Sequence, residues 1–118
     1  MYAVIFEVQP KGEHFDAYLD TAAKLKPELE KVDGFISVER FSSLTTEGKI
    51  LSLSFWRDED AVKAWRRHAA HQEAQLRGRN EYFADYRLRV AAVVRDYGMA
   101  AREEAPEEFK AREAVAVA

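Results

Sequence analysis

The apolar residues of this chain change their spacing along its length, and the order of those changes limits the fold more than any single motif. Residues 2–8, YAVIFEV, are β-branched and aromatic, contain no Gly or Pro, and run into Pro10-Lys11-Gly12. They predict a strand followed by a turn. Over residues 14–32 the period lengthens: Phe15, Tyr18, Leu19, Ala22, Leu25, Leu29 and Val32 recur at intervals suited to one face of a helix. Lys26 and Glu30 are expected to pair on its outer side. Pro27 is expected to kink or divide the helix, and Gly34 to supply a left-handed cap.

The alternating period then returns. FISVERF (35–41) and KILSLSFW (49–56), joined by the polar SLTTEG, predict an antiparallel hairpin. In its second strand Leu51, Leu53 and Phe55 share one face, and Ser52, Ser54 and Trp56 the other. Residues 57–78 predict a second helix, with Asp58 as N-cap and Glu59 and Asp60 in its first turn. Residues 79–86 read as a turn or half-helix, and 86–98 as a fourth strand. The order β-α-β-β-α-β is the ferredoxin-like, split βαβ unit: an α+β fold with a four-stranded antiparallel sheet and helices on one face.

Two helices cover only one face of such a sheet. The first, third and fourth strands are nonetheless apolar on both faces, so a second copy of the chain is expected on the open face, most simply as a two-fold dimer. Arg87, Arg89 and Arg95 share a face of the last strand, where Glu7 and Glu39 are expected to pair with them within the sheet or across the dimer. Residues 1–98 form the expected domain. Residues 99–118, rich in Ala and Glu, form a tail with a short helix expected over 106–114, partly ordered or laid on the partner.

Composition narrows function by exclusion. The chain has 118 residues, 47% hydrophobic and 33% charged, with a net charge of −3. That suits one domain and lacks the basic excess of a nucleic-acid binder. No segment is long and apolar enough to predict a membrane helix, and the N-terminus lacks the form of a signal peptide, so a soluble cytoplasmic protein is expected. There is no cysteine, which removes thiol nucleophiles and thiolate metal ligands. No phosphate loop or Ser-His-Asp order is found.

The chemistry-bearing residues gather in AWRRHAAHQEAQ (64–75), where helical spacing places Trp65, His68, His71 and Gln75 roughly on one face. Trp65 either walls a pocket or anchors the core. His68 and His71 could act as bases, or lie among Arg66, Arg67 and Gln72 on a solvated surface. Two imidazoles without a third ligand make an incomplete metal set, and no metal is expected. Ser52, Ser54 and Trp56 either border a cavity or lie on a half-wetted strand. Tyr82, Phe83 and Tyr86 either cap a pocket mouth or form the hinge back to the sheet.

The run FWRDEDAVKAWRRHAAHQEAQLRGRNEYFADYRLRVAAVVRDYG (55–98) resembles the second half of the antibiotic biosynthesis monooxygenase family: a third strand ending in Trp56, a helix with Ala64-Trp65 and His68/His71, and a Tyr-rich last strand from Tyr86. The resemblance implies a dimeric α/β barrel with a pocket between sheet and helices, and oxidation of polycyclic phenols by dioxygen with no metal or flavin. It leads to the expectation of a cofactor-independent monooxygenase acting on a small aromatic or polyketide-like molecule. His71 would be the base, Trp65 and Trp56 stacking walls, and Ser54 or Gln75 orienting donors, with His68, Phe83 and Tyr86 completing the substrate site. The alternative is a non-catalytic module holding a small hydrophobic ligand. The family's haem-degrading branch resembles this chain less: Gln75 stands where its His follows the helix Trp, and the first strand has no Asn.

Overall fold

The computed structural model describes residues 1–68, 72–73, 77 and 81–110. The strands are β1 (Tyr2–Pro10), β2 (Phe35–Ser42), β3 (Ile50–Trp56) and β4 (Phe83–Ala92). The helices are α1 (Phe15–Glu30), α2 (Glu59–Arg67) and the single turn α3 (Glu107–Lys110). The strands form one antiparallel sheet in the order β2-β3-β1-β4. This is the ferredoxin-like arrangement, with α1 and α2 on one face.

Register determines which side chains meet beneath the helices. Across β2, β3, β1 and β4 the helix-facing rows read Arg40-Ser52-Phe6-Leu88, then Val38-Ser54-Val4-Val90, then Phe35-Trp56-Tyr2-Ala92. Strand alternation sends Ala3, Ile5 and Glu7 of β1, and Leu51, Leu53 and Phe55 of β3, to the opposite face. The two faces expected of β3 are therefore the faces observed.

Several boundaries differ from the sequence reading. Pro27 neither divides α1 nor ends it. The carbonyl left without its donor is that of Ala23, and Ala23 and Pro27 both lie on the exposed side of the helix, where water replaces the lost bond. Helix α2 stops at Arg67 instead of continuing to 78: His68 is extended (φ −64°, ψ 129°) and donates its N–H to the Trp65 carbonyl. The Gln72 N–H then bonds to the His68 carbonyl at 3.0 Å, so helical bonding resumes after a break that no Gly or Pro marks. Strand β4 begins at Phe83 and ends at Ala92. Its early start follows from pairing: Phe83 aligns with Pro10 across an irregularity at Gln9/Pro10, and Lys11 N–H bonds to the Tyr82 carbonyl at 2.7 Å.

The corner that seats α2 is tightly specified. Gly34 has φ 92°, and a β-carbon there would stand 2.7 Å from that of Ala61, so this position requires glycine on both conformational and steric grounds. Arg57 N–H bonds to the Gly34 carbonyl at 2.7 Å, while its guanidinium donates to both Asp33 carboxylate oxygens at 3.1 and 3.2 Å. Asp58 caps α2 by accepting from Ala61 N–H at 2.9 Å. That backbone bond, followed by Arg57, holds the Asp58 carboxyl below its ordinary range.

The core divides into two clusters. Leu29, Trp56, Ala61 and Val62 form one. Val8, Tyr18 and Ile50 form the other. The region after β4 is organised around Arg102, which donates to the carbonyls of Gly98 at 3.2 Å and Phe109 at 3.0 Å and lies over the Tyr97 ring. Of the helix expected over 106–114, the described part is Glu107–Lys110; residues 111–118 lie outside the described residues. No helix among the described residues is long and apolar enough to cross a membrane.

Candidate functional site

Between the two core clusters lies a cavity of about 210 Å³. Its floor is the register lattice: Val4, Phe6, Ser52, Ser54, Leu88 and Val90 all border it. Its roof is α1, through Tyr18, Ala22, Leu25 and Leu29, and α2, through Val62 and Trp65. The helical period of α1 places those residues on one stripe. An engineered apolar cavity of about 150 Å³ admits benzene, so this volume suits a single ring with a short chain.

The Trp56 end is closed and rigid. Trp56 is 1% exposed, meets the Phe35 ring edge-on at 5.4 Å, and donates its indole N–H to Ser54 Oγ at 2.9 Å. Ser54, itself 8% exposed, thus accepts one hydrogen bond. Its own O–H remains to be directed, and the cavity lies beside it. Trp65 is half-buried against the Trp56 cluster and forms part of the roof.

The other end is aromatic. Phe83 packs against Phe6 at 5.8 Å and Tyr18 at 5.6 Å, and Tyr86 against Phe6 at 5.8 Å. Phe83 borders the cavity from within β4, so it belongs to the sheet and is not a hinge after the helix. Tyr86 stands at the exposed edge of this aromatic group.

The remaining expected residues lie elsewhere. His68 is at the end of α2, with its ring 5.3 Å from that of Trp65 and its Nε2 3.6 Å from a Glu28 carboxylate oxygen. It braces Trp65 and links α2 to α1, and it is not among the described residues bordering the cavity. His71 and Gln75 lie outside the described residues. Among the described residues, no group of three or more His, Asp or Glu side chains is placed to hold a metal ion.

Five polar residues border the cavity that the sequence reading did not assign to it: Tyr18, Thr21, Lys26, Arg40 and Arg66. Lys26 was expected to face outward toward Glu30. It sits instead at the exposed rim, as does Arg66. Burial raises the Tyr18 phenol above its ordinary range, while the neighbouring Arg40 guanidinium opposes that shift. Arg40 is half-buried, and its Nε–H is shut off from solvent with no hydrogen-bond partner. An unsatisfied buried donor costs on the order of 1–3 kcal/mol. The signal for Arg40 was present in VERF: it shares strand parity with inward-facing Val38.

Comparison with known proteins places this arrangement. Residues 1–77 match the family described as antibiotic biosynthesis monooxygenase, and the chain belongs to that family. A jasmonate monooxygenase from Pyricularia oryzae is 52% identical over 93 residues, which is 79% of this chain and 43% of that protein. The chain therefore spans less than half the length of that relative. The uncharacterised protein YqjZ of Bacillus subtilis is 36% identical over 94 residues, covering 80% of each chain. Among solved structures, Rv0793 from Mycobacterium tuberculosis superposes with a TM-score of 0.74 at 16% identity, covering 82% of this chain and 98% of that one. SnoaB, a cofactor-independent oxygenase from Streptomyces nogalater, superposes with a TM-score of 0.70 at 9% identity, covering 80% of this chain and 94% of that one. At those identities the likeness concerns the fold alone.

Proposed function

We propose that this chain is a monooxygenase that oxidises a small, largely apolar aromatic or polyketide-like molecule with dioxygen and without a bound cofactor. The observation that carries this reading is the cavity itself. It is apolar, roofed by Trp65, closed by Trp56, and provided with a few fixed polar groups, which is the make-up of a small-molecule site. Family membership and the name of the Pyricularia oryzae relative support the reaction class.

In the proposed reaction an electron-rich substrate loses a proton and passes an electron to dioxygen. One oxygen atom bonds to the substrate carbon. The other leaves as water with the two hydrogens of a methylene, which becomes a carbonyl, so the substrate supplies all the electrons. Trp65 and Trp56 stack on the substrate and exclude water. The Ser54 hydroxyl orients the developing oxygen. His71 is assigned the base from its place in the sequence, and Gln75 a second donor; His68 acts through Trp65.

The open face of the sheet supports a homodimer. Ile5, Leu51, Leu53 and Phe55 are half-buried there, and edge strand β2 exposes Ile36 at 52% and Phe41 at 41%. A surface of that kind suits a second copy better than water.

The test is dioxygen uptake by the purified protein with single-ring phenols whose short chain carries a methylene activated by the ring, in the presence of a chelator and with isotope-labelled dioxygen. Uptake above the protein-free rate, one labelled atom in the product, and a loss of about tenfold or more in kcat/KM for Trp65→Phe are expected. Tight binding of those compounds with uptake no faster than without protein would replace the enzyme by a ligand-binding module.

A further inference from the structure

The cavity walls are apolar, but the charges that border it are all of one sign. Among the described residues, Arg40, Lys26 and Arg66 line it and no carboxylate does. Lys26 and Arg66 stand at the solvent-exposed rim, one on each roof helix, whereas Arg40 rises from the floor. Its cross-strand neighbour in the helix-facing row is Ser52, and Tyr18 stands beside it. Its Nε–H is buried and has no partner.

A buried guanidinium N–H without a partner is an incomplete structure. On the opposite face a carboxylate completes Arg89, which pairs with Glu7. On the cavity face the Arg40 guanidinium meets the Tyr18 phenol, and among the described residues no carboxylate borders the cavity. The fork formed by Nε–H and a terminal N–H matches the two oxygens of a carboxylate in two parallel bonds, a geometry that a single phenolate oxygen does not offer. Lys26 and Arg66 would draw such an anion to the entrance over a longer range.

We propose that the cavity takes an apolar carboxylic acid, its carboxylate held by Arg40 with Ser52 beside it and its hydrocarbon lying toward Trp65. This names the substrate class for the oxygenase reading and rests on that reading for the chemistry, although recognition of the acid stands independently. The acid end is anchored at the aromatic end of the cavity, so the carbon presented to dioxygen is remote from the carboxylate.

Binding of octanoate, octanol and methyl octanoate to the full chain tests this, read by tryptophan fluorescence and by calorimetry. These probes are flexible and make little demand on cavity shape. Octanoate is expected to bind about tenfold or more tighter than the alcohol or ester, the difference expected of one charge-assisted hydrogen-bonded pair. Arg40→Gln is expected to abolish that preference while leaving octanol affinity within about twofold, and Arg40→Lys to restore part of it, since the charge returns without the fork. Equal binding of acid and alcohol by the wild type overturns the proposal, as does failure of octanoate to bind at millimolar concentration. A preference for the acid that survives in Arg40→Gln overturns the assignment to Arg40. If the variants do not fold, the wild-type preference for acid over alcohol decides. None of these readouts requires turnover: acid recognition without dioxygen uptake would sink the oxygenase reading alone, and uptake with neutral substrates only would sink this one alone.

Discussion

The two faces of the sheet are built from alternate residues of the same strands, yet they treat charge and bulk in opposite ways. On the helix face Trp56 is enclosed and Arg40 keeps a buried donor unpaired. On the opposite face Phe55 is half-buried, and Glu7 is paired with both Lys49 at 2.8 Å and Arg89. One face is roofed by the chain's own helices, with Leu88 and Val90 of β4 exposed at the edge of that roof, and is left chemically unfinished inside. The other is electrostatically finished and left open. The difference matches the two partners proposed above: a small molecule on the first face, and a second copy of the chain on the second.

Adjacent residues of β3 give the sharpest test of that contrast. Trp56→Ala is expected to cost about 3–5 kcal/mol in urea unfolding, the range for removing a large buried aromatic, and to leave Ser54 without its indole donor. Phe55→Ala is expected to cost less than half as much at low protein concentration. A Phe55→Ala cost that grows with protein concentration would show that a second copy buries that face.

Gly34→Ala is expected next, at on the order of 3 kcal/mol, from a positive φ combined with a collision against Ala61. It should loosen the seating of α2, so a larger loss of ligand binding than of sheet stability is expected. Equal losses would mean that the corner and the sheet unfold together.

Leu53→Lys places a charge in the middle of the open face. Its expected effect is on assembly: sedimentation should shift from dimer toward monomer while the far-ultraviolet spectrum is kept. An unchanged species would place the partner elsewhere.

Glu7→Gln should have the smallest effect. The Lys49 and Arg89 partners hold the Glu7 carboxyl below its ordinary value of 4.5. A folded value below the unfolded one adds stability that is present above the unfolded value and lost as pH falls through the folded one. Wild type is therefore expected to exceed the variant slightly at neutral pH, with the two converging as the pH drops below about 4.5. Added salt should shrink the neutral-pH gap, because the groups are exposed.

Much of this architecture was legible in the residues. The change of period predicted all four strands and both main helices, and the alternation of LSLSFW assigned Ser52, Ser54 and Trp56 to one face. Trp65, Trp56, Ser54 and Phe83 were named from local pattern and meet around one cavity. The break after Arg67 was not legible, because no residue there forbids a helix; the extended His68 is tied to tertiary contacts with Trp65 and Glu28. Arg40 and Tyr18 were missed for a related reason. Each looks ordinary in its own element, and they become a polar site only when α1 lies over β2.

Sequence alone determined the element order, the faces of the strands and the need for glycine near residue 34, because these depend on spacing and on the conformational range of single residues. Tertiary structure alone decided that Lys26 turns to the rim, that His68 leaves the helix to brace Trp65, and that a guanidinium donor is buried beside a phenol. Those outcomes depend on which surfaces meet, and burial of a polar group acquires its energetic consequence only once a neighbouring element has excluded water from it.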